Sequence, residues 1–261
     1  MRKALAMLVL LSLVMPAALA DKNTAREGYF PGVYTTYEDI LGRSDYLVVS
    51  VIAGTFTDLG PAYATALGAA DLVYDPTGTL GSAIPGHTLV LVDTSDNWWG
   101  DGWDVTADEA ALMAFLDATG KLIFVGQDYI YFRGSYAGFP ANYMGVASVV
   151  EDLAANDASL DWTGTAGGPL EGLWDSIAAC FASNGFYTDQ VYPATQGIAT
   201  WSSPSQPSAV EGGSVVTKAI FSTVEFACGD LTPVIPEMLA YLIGCSPTED
   251  SSWGQIKGMY R

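Results

Sequence analysis

The sequence predicts an α/β protein in which a mostly parallel β-sheet is covered by helices on both faces, a three-layer α/β/α sandwich. The first observation is the apolar run 121–125, which follows directly after Gly120 and is too short for a buried helix. The second is that Tyr46–Ala53 and His87–Thr94 are further apolar runs of the same kind. The third is that helical segments alternate with these runs at a short period, which is typical of right-handed crossovers between parallel strands.

The predicted elements of the first half follow the chain in order. Tyr46–Ala53 forms the first buried strand. Asp58 caps a short helix over 61–67, whose proline lies in the first turn, where proline costs least. Asp71–Tyr74 forms a short second strand and His87–Thr94 a third, which is again largely apolar.

The clearest helix signal precedes the central strand 121–125. Thr106 and Glu109 form a capping box, in which a hydroxyl and a carboxylate each satisfy a free backbone N–H. Gly120 supplies the C-terminal stop. The apolar residues of one face lie between them: Leu112, Phe115 and Leu116.

The second half of the chain gives weaker signals. Residues 129–168 are less regular and are assigned no element. A helix that ends at Asn184-Gly185 is predicted from apolar residues at helical spacing. These residues are Leu170, Leu173, Ile177, Cys180 and Phe181. Ile198–Ser203 and Val215–Val224 predict an antiparallel strand pair at the sheet edge, and Met238–Ile243 predicts a closing helix that stops at Gly244.

The N-terminus predicts a secretory signal peptide that is cleaved after Ala20. Arg2 and Lys3 form a basic start, Ala4–Val14 an apolar stretch, and Ala18-Leu-Ala20 a small-residue cleavage site. No stretch is long enough to span a bilayer, so the mature chain has no predicted transmembrane segment and is expected to be secreted or at the cell surface. The predicted organisation is a leader 1–20, a lead-in 21–45, an α/β domain 46–245, and a linker with a terminal tag 246–261.

The composition is acidic and argues against several partners. The 261 residues include 29 Asp and Glu against 10 Lys and Arg, and the net charge of −19 becomes −21 when Arg2 and Lys3 leave with the leader. A phosphate-tracking surface needs clustered cations, so nucleic acid and anionic membrane surfaces are poor partners. We interpret the acidity as a solubilising surface. No metal site or cofactor is predicted, because no dedicated ligand loop is present.

This order of elements resembles the class I glutamine-amidotransferase-like fold, a flavodoxin-like sandwich, and in particular its trehalose-utilisation-protein-like branch and related beta-galactosidase trimerisation-type modules. The resemblance covers roughly residues 46–244. It is carried by the segments LVVSVIA, LVLVDTSDNWWGD, TADEAALMAFLDATG, KLIFVGQDY and KAIFSTVEF. It implies a mostly parallel sheet with an antiparallel edge and a site where the strands end.

The sequence lacks the residues that catalyse acyl transfer in the family it resembles. An active amidotransferase presents a cysteine in a Gly-x-Cys-x-Gly elbow after the central strand, and Asp128 stands at that position here. The late strand, which runs through Ser222–Phe226, lacks the family's histidine, and the single histidine, His87, precedes the third strand. Acyl transfer needs a nucleophile with an adjacent base, so the sequence predicts a non-catalytic copy.

The tail carries a second resemblance, to short terminal tags of secreted bacterial proteins that end Ser-Trp-Gly-x-Ile-Lys-x-x-aromatic-basic. The tag residues are Trp253, Ile256, Lys257, Tyr260 and Arg261. The three apolar ones share a helical face, and the two cations share another. A basic amphipathic patch on an acidic protein suits a recognition handle for sorting or attachment. The alternative is a frayed end that packs on the domain through Trp253.

Polar residues collect where the predicted strands end, and ligands of open α/β sheets bind there. The candidate crevice consists of Asp93, Thr94, Asp128, Tyr129, Arg133 and Glu225. Arg133 is able to hold a carboxylate ligand or to pair with Asp128. The favoured interpretation is an internal salt-bridge and hydrogen-bond network that replaces the lost active site, because buried charges are normally paired.

The loop after the third strand is a second candidate surface. Its residues are Asp96, Trp98, Trp99, Asp101 and Trp103. With Asp93 and Asp104, its carboxylates form a candidate Ca²⁺ loop, although the spacing does not match an EF-hand. Its indoles offer a stacking surface for a sugar or a protein. The favoured interpretation is a loop that packs on itself.

Cysteine pairing is plausible in an exported protein. Cys180 with either Cys228 or Cys245 is the favoured pair, since Cys228 and Cys245 bracket the last helix and lie too far apart to bond. The alternative is a buried free thiol at Cys180.

These observations favour a secreted, non-catalytic domain that binds a protein or glycan partner at the cell surface and is sorted or attached through its tail. One alternative is a carbohydrate-active hydrolase that uses Asp128 and Glu225 as a carboxylate pair. A further alternative is a structural surface component that self-assembles.

Overall fold

The computed structural model describes residues 45–51, 57–74, 80–94, 105–127, 129–180, 185–194, 198–203, 210–211, 214–216 and 218–244. The predicted leader, the lead-in as far as residue 44, the terminal tag, the Trp-rich loop and Asp128 therefore lie outside the described residues. Within the described ranges, no helix combines the length and the apolar character that a membrane crossing requires.

The described residues form twelve strands and five α-helices. The strands are β1 (Tyr46–Val51), β2 (Ala70–Tyr74), β3 (Leu89–Asp93), β4 (Lys121–Val125), β5 (Val146–Asp157), β6 (Ser159–Gly164), β7 (Trp174–Ala178), β8 (Phe186–Pro193), β9 (Trp201–Ser203), β10 (Val210–Glu211), β11 (Ser214–Val216) and β12 (Ala219–Ser222). The helices are α1 (Gly60–Leu67), α2 (Val105–Asp117), α3 (Tyr129–Arg133), α4 (Phe139–Tyr143) and α5 (Leu231–Gly244).

The main sheet has six strands in the order β11-β12-β4-β3-β1-β2. All neighbours in it are parallel except β11, which pairs antiparallel with β12 at the edge. The five parallel strands follow the flavodoxin-like order 2-1-3-4-5, with β12 as the fifth strand. The predicted α/β/α fold, with a mostly parallel sheet and an antiparallel edge, is therefore confirmed.

Apolar residues cover both faces of this sheet. The strands β1, β3 and β12 are buried along their whole length, as expected of parallel strands with helices on each side. Helices α1 and α5 pack together on one face. On the other face, Leu112 and Leu116 of α2 and Phe139 of α4 join strand residues such as Phe124 and Phe221 in one core cluster.

Two smaller antiparallel sheets are formed by the chain between β4 and β11, and the sequence did not predict them. One has four strands in the order β10-β9-β6-β7, and the other pairs β5 with β8. The ring of Trp162, on β6, and the ring of Phe226 pack in a T-shaped arrangement with centroids 5.0 Å apart. The four-stranded sheet thus rests on the chain that follows β12.

Two predictions for the second half are wrong. The apolar residues from Leu170 to Cys180 do not form the predicted helix, because Trp174–Ala178 pairs as strand β7 with β6 and buries only one of its faces. The strands predicted over 198–203 and 215–224 do not pair with each other. Strand β9 belongs to the four-stranded sheet, whereas β12 lies in the main sheet.

The ends of two helices also differ from prediction. Helix α2 begins at Val105, one residue before the predicted cap, and Glu109 is used for an ion pair instead of a capping box. The left-handed residue after α2 is Thr119, with φ of 78°, rather than Gly120. At the start of α1 the N-cap residue is Leu59, while Asp58 accepts a hydrogen bond from the Gly60 N–H at 3.1 Å.

Candidate functional site

Two carboxyl groups meet at the carboxyl edge of the main sheet. Asp93 ends β3, and Glu225 follows β12, where it caps a 3₁₀ turn by accepting from the Ala227 N–H at 3.2 Å. The Asp93 carboxyl lies close enough to that of Glu225 to act on its ionisation. Tyr63 of α1 completes the cluster, because its hydroxyl donates to Glu225 Oε1. Asp93, Glu225 and Tyr63 are each 1% exposed, so the cluster is closed to solvent.

The chemistry of this cluster follows from its burial. Two carboxyl groups that are buried side by side cannot both ionise without a large cost. Burial, followed by the neighbouring Asp93 carboxyl, raises the pKa of Glu225 well above its usual range. Burial and the same two carboxyl groups also raise the pKa of Tyr63, so its hydroxyl stays protonated and remains a donor. The cluster is therefore a buried acid pair, one member of which is held by the phenol of Tyr63.

Replacing Glu225 with glutamine tests how the raised pKa of Glu225 changes the stability of the protein with pH. Since the folded-state pKa is raised, the stability that Glu225 contributes is complete below its ordinary value of 4.5 and is lost as the pH rises through the folded value. Glutamine still accepts from Tyr63 and is able to donate to Asp93. We therefore expect Glu225→Gln to raise the free energy of unfolding by about 1–2 kcal/mol at pH 8, a typical size for a single substitution, and to change it little at pH 4.

Urea titrations at a series of pH values measure this effect. Asp161→Asn is the matched control, because it removes an acid from a half-exposed strand position and should change stability by less than about 0.5 kcal/mol. Equal stability of wild type and Glu225→Gln across the whole pH range would show that the acid pair is not buried in solution.

Strand β8 lies over the end of the central strand β4. Gln127 Oε1 accepts from the Tyr187 N–H at 3.1 Å, and Gln127 O accepts from the Asp189 N–H at 3.4 Å. The Thr223 hydroxyl donates to Asp189 O at 2.8 Å, which ties the same strand to the residue after β12. Gln127, Thr223 and Thr188 are all fully buried. The described part of the predicted crevice is therefore filled by the chain itself.

The remaining crevice residues form a second, separate network on the other face of the sheet. The Arg133 guanidinium binds Glu109 through Nε at 2.5 Å and through Nη2 at 2.8 Å. The Tyr129 hydroxyl also donates to Glu109 Oε1, and burial and Glu109 raise the Tyr129 pKa well above its usual range. Arg133 thus pairs with Glu109 of α2, which sequence reasoning had assigned to the capping box. No local pattern links these positions, which lie 24 residues apart.

The predicted site residues are therefore divided among three places. Asp93 and Glu225 come together, while Tyr129 and Arg133 face α2. Thr94 bonds to the neighbouring strand instead, donating from its N–H to Val125 O at 2.9 Å. Asp128 and the candidate surface loop of residues 96–103 lie outside the described residues. Sequence reasoning missed Tyr63, Gln127 and Asp189. The only available sequence signal of a buried polar strand was the run of three polar residues Thr188–Gln190.

A disulfide fastens the four-stranded sheet beside the acid pair. Cys180, two residues after β7, bonds to Cys228 in the 3₁₀ turn that Glu225 caps. Cys180 therefore takes the first of its two favoured partners, and the alternative of a buried free thiol is wrong. The 3₁₀ turn packs closely on β7, since a Cβ on Gly229 would lie 2.5 Å from Ile177 Cγ2. Only glycine fits at this position.

The single histidine lies far from this edge. His87 precedes β3, so it lies at the amino edge of the sheet, where its N–H donates to Ile84 O at 3.2 Å. It lines a cleft of about 450 Å³ between α2 and the 80–88 segment. Cys180 and Cys228 are bonded to each other, so they form no thiol–imidazole couple with His87. Among the described residues, no three His, Cys, Asp or Glu side chains are grouped to hold a metal ion.

Comparisons with known proteins give a distant structural likeness. No protein-family model matches the chain, and no curated protein matches it significantly. Among solved structures, the chain is similar to a protein of Thermoplasma acidophilum that is named as a GMP synthase subunit. The identity is 10% and the TM-score 0.48, and the match covers 82% of this chain and 97% of that chain. A likeness of this extent assigns neither a family nor an activity to the chain.

Proposed function

We propose that this chain is an exported, non-catalytic binding domain built on an amidotransferase-like scaffold, which acts at the cell surface and is sorted or attached through its C-terminal tail. The observation that carries the proposal is the filled carboxyl edge. Enzymes of open α/β folds bind substrate in a crevice at that edge. In the described part of this chain, β8 and the side chains of Gln127, Thr223 and Glu225 fill that space.

The sequence supports the same proposal in two ways. Asp128 stands where a nucleophilic cysteine would be needed, and the late strand lacks a histidine. The leader and the tail are segments typical of exported proteins. The burial of Glu225 disfavours the hydrolase alternative, because a glycosidase carboxyl must touch its substrate in an open cleft.

Two measurements test the proposal. The mature chain is expected to release no ammonia from glutamine and no reducing sugar from a glycan panel. Turnover that disappears in both Glu225→Gln and Asp128→Asn would contradict it. In the native host, deleting residues 246–261 is expected to move the protein from the cell surface to the medium or to trap it inside, while the domain remains folded. Unchanged localisation after the deletion would remove the role of the tail.

A further inference from the structure

Strands β6, β7 and β9 of the four-stranded sheet have one buried face and one exposed face. Leu160, Trp162, Ile177 and Trp201 are buried and point toward the body of the protein. Side chains alternate along a strand, so the residues between them point outward. The outward residues of these three strands are Ser159, Asp161, Thr163, Trp174, Ser176, Ala178 and Ser202. All of them are polar except Ala178 and Trp174.

Trp174 is the exception on this face. Its side chain is 77% exposed, the highest value among the large exposed apolar residues of the described chain. It lies on β7, an edge strand of the sheet, directly opposite Thr163 of β6, and Thr163 is in turn opposite Ser202 of β9. Asp161 is the diagonal neighbour of Trp174, which places the two about 7–8 Å apart. An indole, two hydroxyls and a carboxylate therefore share one flat surface.

The polar groups of this surface are available for a ligand. Within the described part of the chain, the Asp161 carboxylate makes no hydrogen bond or ion pair. Thr163 donates its hydroxyl proton to Leu173 O at 3.2 Å and keeps its oxygen as an acceptor. The surface thus offers a stacking group beside groups that accept and donate hydrogen bonds, the combination that small-molecule sites use to fix orientation.

We propose that this surface, the Trp174 platform (Trp174, Asp161, Thr163, Ser176 and Ser202), binds a neutral glycan; the inference rests on the proposed binding function and supplies its ligand class. A sugar ring has an apolar C–H face that packs on an indole, and its hydroxyl groups both donate and accept. The Asp161 carboxylate accepts from two neighbouring sugar hydroxyls, and the Ser and Thr hydroxyls pair with the others. The ring stacks on Trp174 while its rim bonds to the sheet.

Charge decides which glycans fit. Strands β6, β7 and β9 contain Asp161 and Asp175 and no Lys or Arg. The formal net charge of the whole chain is −19. Uronic acids, sulfated sugars and phosphate esters are therefore repelled, while neutral sugars are not. A protein partner fits less well, because protein interfaces bury about 800 Å² on each side around a cluster of anchors. Among the described outward residues of β6, β7 and β9, Trp174 has no apolar neighbour of its size.

Affinity electrophoresis of the full mature chain tests the proposal. The gels contain a soluble neutral glucan, xylan or mannan, with polygalacturonate as the anionic comparison. We expect retardation in at least one neutral gel and none in polygalacturonate. Trp174→Ala should weaken the apparent affinity at least tenfold, Trp174→Phe should retain part of it, and Asp161→Asn should reduce it. Tyr131→Ala is the matched control, since Tyr131 is a 46% exposed aromatic on α3, outside the platform.

The outcomes separate the platform from the proposed function. Because Trp174 is so exposed, Trp174→Ala should keep the wild-type unfolding midpoint, and lost binding then reports on the ligand contact. Retardation that persists in Trp174→Ala, or falls equally in Tyr131→Ala, would overturn the platform while leaving a glycan-binding domain. Absence of retardation in every neutral gel, or retardation in polygalacturonate alone, would overturn the neutral-glycan inference, and the tail-deletion experiment would still test the proposed function separately.

Discussion

Removing the disulfide between Cys180 and Cys228 is expected to lower the free energy of unfolding by about 4 kcal/mol. The bond closes a loop of 48 residues, and the chain-entropy model for a loop of this length gives about that value. The effect is expected to be large because the bond joins the four-stranded sheet to the 3₁₀ turn beside the acid pair. Urea unfolding of Cys180→Ala/Cys228→Ala against wild type measures it.

Reductant provides the control for this experiment. Adding a dithiol should destabilise the wild type to about the level of the double variant and should leave the double variant unchanged. A loss below about 1 kcal/mol, or an equal effect of reductant on both proteins, would contradict the expected contribution of the bond.

Arg133→Ala is expected to cost about 2–4 kcal/mol of stability. The substitution leaves the Glu109 carboxylate, whose side chain is 7% exposed, without its bidentate partner, and an uncompensated buried charge is expensive. Tyr129 alone then donates to Glu109. Chemical denaturation at neutral pH measures the loss.

Neutralising the partner separates this cost from lost packing. Arg133→Ala/Glu109→Gln should recover a large part of the stability, because glutamine carries no charge and still accepts from the Tyr129 hydroxyl. If the single variant costs less than about 0.5 kcal/mol, or if the second substitution recovers nothing, the pair is solvated rather than buried.

The sequence predicts the main sheet well because each central strand carries its own signal. The strands β1, β3 and β4 are continuous apolar runs, as strands covered on both faces must be, and Gly120 marks the start of β4. Their parallel pairing follows from the helices between them. Helix α5 is longer than predicted. Proline usually interrupts a helix, so Pro236 hides the helical character of the first half of α5 in the sequence.

The smaller sheets are not readable in this way. Strands β6 and β7 bury one face only, and Leu170, Leu173 and Ile177 happen to fall at helical spacing, so a helix is predicted where pairing with β6 produces a strand. Propensity over such a short segment is overridden by tertiary contacts.

The partners within the site are equally hidden from local reasoning. The acid pair depends on Tyr63, which donates to Glu225 across 162 residues of sequence. Asp93 and Glu225 could be placed at the same edge, because both follow parallel strands. The burial of these two carboxyl groups could not be predicted, because the sequence did not reveal the covering strand β8.

Carboxyl footprinting tests the filled carboxyl edge most directly. The native mature chain is treated with a water-soluble carbodiimide and an amine, and each modified Asp and Glu is quantified by mass spectrometry. We expect Asp93 and Glu225 to remain unmodified until the chain is unfolded, while the exposed Asp230 and the half-exposed Asp161 react in the native state. Modification of Glu225 at the rate of Asp161 would mean an open crevice at this edge and would contradict the proposed non-catalytic function.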